Sequence, residues 1–382
     1  MKRAIILLLA TFFIIMANQS VVSAGPPQGG SGDERYEGEV SKIIADRRIE
    51  VSPGISQPYQ QVEVLISSGK LKGRSVTAEI GGMVAASDAH RLHVGDKIYV
   101  LRIEKEDGTE VYIVGDFIRR TSIYILAVAL LAAVVMVGGF RGLTSFLGLI
   151  ISFAVLLLYI IPRIVAGENP VTIAITGSCL ILLTTLYLAH GFNRKTTAAI
   201  IGTSISLIIT GLLAWFFVGF ARLSGFVNDE AGFLSTFSGV QVNLQGILLG
   251  GIIIGTLGVL NDITISQSAC VFELYRANNA LSWKALYFGG IRVGRDHIAS
   301  MVNTLVLAYA GASLPLFLVF TLAGGEAFDV LINREIIATE IVRTLVGSLG
   351  LVSAVPVTTA FAAVFCRSGK RQPLMQPTPN AS

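Results

Sequence analysis

The stretch Gly246–Gln267, GILLGGIIIGTLGVLNDITISQ, decides what kind of chain this is. Ile247 to Leu260 is glycine, threonine and aliphatic side chains with no charge. At 1.5 Å per residue such a helix covers about 21 Å, most of a hydrocarbon core roughly 30 Å thick. The run then closes on a carboxylate, Asp262. An acid at that depth is costly to insert, so it marks a candidate for function.

Outward from this stretch the composition agrees. Of 382 residues, 53% are hydrophobic and 14% charged, and the mean hydropathy is +0.69. This is the profile of a multi-spanning membrane protein. The net charge of +4 gives no case for a nucleic-acid partner, because in such chains the placement of Lys and Arg matters more than their sum. Cys179, Cys270 and Cys366 form no CxxC or Cys/His spacing, so neither a disulfide framework nor a metal site is expected, and no cofactor is implied.

The N-terminus reads as a secretory signal over residues 1–24. Lys2 and Arg3 precede an apolar core from Ala4 to Met16, and Val22-Ser23-Ala24 supplies a small-residue cleavage site, with an uncleaved anchor as the alternative. Residues 25–35 are a Pro/Gly/Ser-rich linker. Residues 36–118 change to short alternating runs (YEGEVSKII, QQVEVLIS, RSVTAEI, DKIYVLRIE, EVYIVGD) separated by turn residues, among them Gly95-Asp96 and Asp107-Gly108. Five or six such strands predict a small antiparallel barrel, OB-like or SH3-like.

Residues 119–366 then predict an α-helical polytopic bundle of seven spans: Ser122–Phe140, Leu143–Ile161, Val171–His190, Thr197–Phe220, Leu244–Ser266, Ile298–Leu322 and Val342–Phe365. A basic tail, residues 367–382, follows. With the barrel outside, the inner loops and tail carry ten Lys and Arg against three, Arg163, Arg222 and Arg334, in the outer loops. The expected location is the plasma membrane, with the N-terminal domain extracytoplasmic and the C-terminus cytoplasmic.

Candidate chemistry concentrates in three places. On the fifth span Gly251, Gly255, Gly258, Asp262 and Ser266 share one helical face, and the pairs Gly246/Gly250 and Gly251/Gly255 invite close helix approach. Beyond them stand Asn261, Thr264 and Gln267. On the sixth span Asp296, Ser300, Asn303 and Thr304 follow at helical steps beside His297, whose charge changes most easily near neutral pH. Both segments lie at the cytoplasmic end, so Asp262, Ser266, Gln267, Asp296, His297 and Asn303 are expected to converge on an ion or substrate site. Each also has a plainer reading, as a helix cap or an interfacial side chain. Near the seventh span Glu340 and Arg343, three apart, can pair as an outer gate or simply as an interfacial ion pair. The chain has no GxxxxGK[ST] phosphate loop, HExxH, GxSxG, or paired Tyr-Asp and Gly-x-Gly-Asp motifs, so no enzyme is expected.

The strings GTLGVLNDITISQ, GRDHIASMVNTLVLAYAGASLPL and EIVRTLVGSLGLVSAVPVTT closely resemble signature stretches of the YibE/F family of bacterial membrane proteins. YEGEV and VGDKIYV in the N-terminal domain extend the likeness over nearly the whole mature chain. Asp262, Ser266, Gln267, Asp296, His297, Asn303, Glu340 and Arg343 all fall inside matching blocks. Asn261 departs from the pattern, standing where an acid beside Asp262 is expected. The resemblance implies a multi-pass membrane protein and brings no settled activity. The residues themselves suggest a secondary transporter or permease for an ion or small solute, coupled to protons or a cation. The alternative is a non-transporting envelope binding or assembly protein that acts through its external domain on a protein partner or as a homo-oligomer.

Overall fold

The structure, a computed structural model, describes residues 34–52, 54–82, 87–104, 108–227, 243–322 and 327–368. The signal sequence, nearly all of the linker and of the basic tail, and Asp107 of the expected turn lie outside the described residues. The chain separates into two units, one within 23–133 and one from 134 onward.

Alternation of apolar and polar residues builds the first unit. Its strands are β1 (Glu34–Ser52), β2 (Ile55–Ile66), β3 (Ser75–Ile80), β4 (Lys97–Glu104) and β5 (Glu110–Phe117). Tyr36 and Val40 of β1, Val62, Val64 and Ile66 of β2, Ala78 of β3, Ile98 and Val100 of β4 and Val114 of β5 point inward and form one core. β1 and β2 run further than the sequence suggested, into a long hairpin that turns at Gly54, whose φ of +79° suits a residue without a Cβ. The strand order β1-β2-β3-β5-β4 returns to β1. The sheet is mixed, because β3 meets β5 in parallel, and that seam is thin: Ala78 opposite Tyr112 and Glu79 opposite Ile113. The small antiparallel barrel expected, OB-like or SH3-like, is thus a small mixed sheet with one short parallel seam.

The second unit is helical. We number its helices α1 (Arg120–Phe140), α2 (Gly142–Val165), α3 (Pro170–His190), α4 (Arg194–Phe220), α5 (Leu244–Ala277), α6 (Trp283–Ala312), α7 (Leu314–Leu322), α8 (Phe328–Leu331) and α9 (Glu335–Arg367), with α1 beginning in the first unit. Six of them are long and apolar enough to cross a membrane, and the bent pair α6–α7 makes up to seven spans. α1 and α2 break at Gly139, where φ is +56°. α2 carries a π-turn at Leu156–Ile160 beside Pro162, which has no N–H to continue the regular ladder. A turn through Gly167, φ +86°, then leads to α3.

Asparagine and serine set the starts. Asn169, Asn193, Asn243 and Ser282 each accept a hydrogen bond from a first-turn N–H of α3, α4, α5 and α6. The sixth span differs from expectation. It starts at Trp283 rather than Ile298, and it bends by 58° between α6 and α7. Pro315, the second residue of α7, cannot donate to the carbonyl four residues back, so a straight helix cannot pass this point. The centre of the unit is the trio α4, α5 and α9, packed through residues such as Leu207, Ile253, Leu260, Leu351 and Val355. Backbones approach closely there: a Cβ on Gly202 would lie 2.1 Å from Thr358 Oγ1, and one on Gly350 would lie 2.0 Å from Thr210 Oγ1.

Candidate functional site

Asp262 lies on the side of α5 that faces α2 and α3, and it opens into a cleft of about 470 Å³ between these three helices. Ser145 and Ser152 of α2, Thr185 and His190 of α3 and Asn261 of α5 share the lining, with apolar walls that include Phe153 and Leu257. α2 reaches α3 where Gly148 leaves room, since a Cβ there would sit 3.6 Å from that of Thr185. Ser152 donates its hydroxyl proton to Gly148 O at 3.0 Å and Thr185 donates to Ile181 O at 2.7 Å. Asn261 Oδ1 is buried with no hydrogen-bond partner. Asp262 is on the exposed side of α5, and its carboxylate is in no hydrogen bond or ion pair among the described residues.

The other residues expected at this point go elsewhere. Gln267 is about 140° around the helix from Asp262. It is 1% exposed, and its Nε2 donates to Gly290 O at 2.8 Å and to Thr359 Oγ1 at 2.7 Å, tying α5 to α6 and α9. Ser266 is exposed, as are Asp296, His297 and Asn303 on α6. α6 buries Leu286, Gly290, Gly294 and Leu305, and at about 100° per residue Asp296 and Asn303 then fall on its far side. Among the described residues no hydrogen bond or ion pair joins Asp262, Gln267, Asp296, His297 and Asn303. The expected convergence is therefore replaced by a cleft at Asp262 and a separate clasp at Gln267.

The glycine face also divides. Gly246 and Gly250 pack on the start of α3, where Cβ atoms would come 3.1 Å from Pro170 Cδ and 3.3 Å from Ala174 Cβ. Gly255 approaches the Tyr309 hydroxyl of α6. Gly251 and Gly258 have nothing within 4 Å of an added Cβ, so neither sits in a helix contact, and Gly258 lines the cleft instead. Glu340 and Arg343 of α9 do pair, Nη1 to Oε1 at 3.0 Å, with side chains 19% and 30% exposed.

A family model for YibE/F-like protein matches residues 126–368. The chain belongs to the YibE/F-like family. No curated protein and no solved structure matches it. The YibE/F-like match contains every residue of the cleft and of the Gln267 clasp, whereas the strands of the first unit, with their YEGEV and VGDKIYV strings, lie outside it.

Within this YibE/F-like region, reading the sequence missed Ser145, Ser152, Thr185 and His190, the cleft's polar contributions from α2 and α3. Their signal was diluted, because α2 and α3 carry several other hydroxyls, among them Thr144, Thr172, Thr176, Ser178 and Thr184. A hydroxyl in a span satisfies itself on the preceding turn, so sequence alone does not separate a lining residue from an idle one.

Proposed function

We propose that this YibE/F-like protein is a secondary transporter or permease for an ion or small solute, with Asp262 as the residue that carries the ion or proton. The observation that supports this is an unpaired carboxylate opening into a cleft between three apolar helices. Intramembrane acids are costly and typically mark ion or substrate paths. Asp296 and His297 stand apart from the cleft and are not assigned to this step. The Glu340–Arg343 pair is read as a latch toward the opposite side. The N-terminal unit, which we read as an OB-like sheet, is placed outside the plasma membrane by the positive-inside bias and the signal-like N-terminus.

The test is flux in proteoliposomes under imposed gradients. Asp262→Asn keeps the side-chain shape and removes the charge, so gradient-driven flux should fall at least tenfold. Equal flux by the wild type and Asp262→Asn would remove Asp262 from the mechanism.

A further inference from the structure

We propose that the cleft at Asp262 receives a small organic monovalent cation with an ammonium head and an apolar body. The inference rests on the transport reading for its purpose, and on the cleft alone for its chemistry.

The polar end of the cleft is lined by Asp262, Asn261, Ser145, Ser152, Thr185 and His190, so it carries one carboxylate, several acceptor oxygens and one imidazole. The Ser152 and Thr185 hydroxyls have already donated to Gly148 O and Ile181 O, so what they present to a ligand is acceptor capacity. Asn261 Oδ1 is a buried acceptor with no donor. Asp262 adds acceptor oxygens and the negative charge. No Lys or Arg lines the cleft among the described residues, and its one basic side chain, His190, is engaged in an interaction of its own. An ammonium group is the complement of this set, since it carries three donors, no acceptor and one positive charge. An anion meets like charge here, and a neutral solute leaves the carboxylate without a counter-charge.

Charge and room narrow the choice further. Divalent cations are held by several carboxylates or by mixed His/Cys/Asp/Glu sets, and no group of three such side chains suited to a metal occurs among the described residues. A bare alkali ion or a proton would satisfy Asp262 but leave most of the 470 Å³ unused. A water molecule takes about 30 Å³ of liquid, so the space suits a molecule of several heavy atoms. Its carbon chain would lie against Phe153 and Leu257.

The probe is a series of n-alkylammonium chlorides from ethyl to hexyl, titrated by calorimetry against the full chain in detergent. Affinity should rise about fourfold for each added methylene, the value for burying a CH2 group, and should saturate at one site. Asp262→Asn should lose at least tenfold. Gly258→Leu, which grows a side chain into open space and leaves the carboxylate intact, should lose binding without loss of thermal stability. Sodium chloride, hexanol and hexanoate are the competing ligands. The proposal is overturned if any of them binds as tightly as hexylammonium, or if both variants bind like the wild type. Saturable binding without flux in proteoliposomes would sink the transport reading and leave the site. Flux that alkylammonium ions neither compete with nor drive would leave transport standing and remove this inference.

Discussion

Gln267 shows how much one buried amide can fix. Its Nε2 serves Gly290 O and Thr359 Oγ1 together, and Thr359 passes its own proton to Val355 O at 2.6 Å. Gln267→Ala therefore removes both bonds that tie α5 to α6 and α9 and opens a void beside Gly294. The expected loss is about 1–3 kcal/mol, seen as a lower Tm of the purified protein in detergent. A cycle with Thr359→Val should give a coupling near 0.6 kcal/mol, typical of polar contacts between membrane helices. In the β-sheet unit, the Lys70 hydrogen bond first, and then the Tyr36 hydroxyl, hold the Glu34 carboxyl down to about 2 from an ordinary 4.5. Its folded pKa is depressed, so its contribution is complete above about 4.5 and vanishes as pH falls through about 2. Glu34→Gln should flatten the acid-induced loss of structure in that window, followed by amide exchange along β1 and β4.

At the level of elements, the trio α4, α5 and α9 depends on glycine facing threonine. Gly350→Ala would meet only side-chain atoms of Thr210, with Oγ1 at 2.0 Å, and Gly202→Ala would meet the Thr358 backbone as well, with Cα at 3.0 Å. Each should destabilise by about 1–3 kcal/mol. Thr210→Ala should restore most of the loss in Gly350→Ala, while Thr358→Ala should restore less in Gly202→Ala, because the clashing Cα remains. Thermal melts of the two double variants check this. The spans and strands themselves were legible, because apolar length and alternation are local properties of the chain. The site was legible only in part. A helical wheel puts Asp262 and Gln267 at known angles on α5, but it does not say which neighbour occupies which angle. That follows from Gly290 and Gly294 drawing α6 to the Gln267 side, a contact between residues far apart in sequence. Pro315 and Pro356 show the limit of local reading: both fall inside expected spans, yet the span bends by 58° at the first and α9 runs on through the second.

For the whole molecule, the cleft lies in the helical unit and within the YibE/F-like match, and the five strands lie outside that match. Removing residues 36–118 should leave gradient-driven flux within a few-fold of the wild type when measured in proteoliposomes. Complete loss by a stably folded, membrane-inserted deletion would favour the alternative in which the external unit does the work. One further property follows from the break at Gly139 and the turn at Gly167. α2 is one wall of the cleft, and glycines with φ of +56° and +86° flank it. It is therefore a wall mounted through glycine turns at both ends, beside the packed trio of α4, α5 and α9. The cleft thus has one wall, α5, built into the packed centre and another, α2, set off by its own backbone turns.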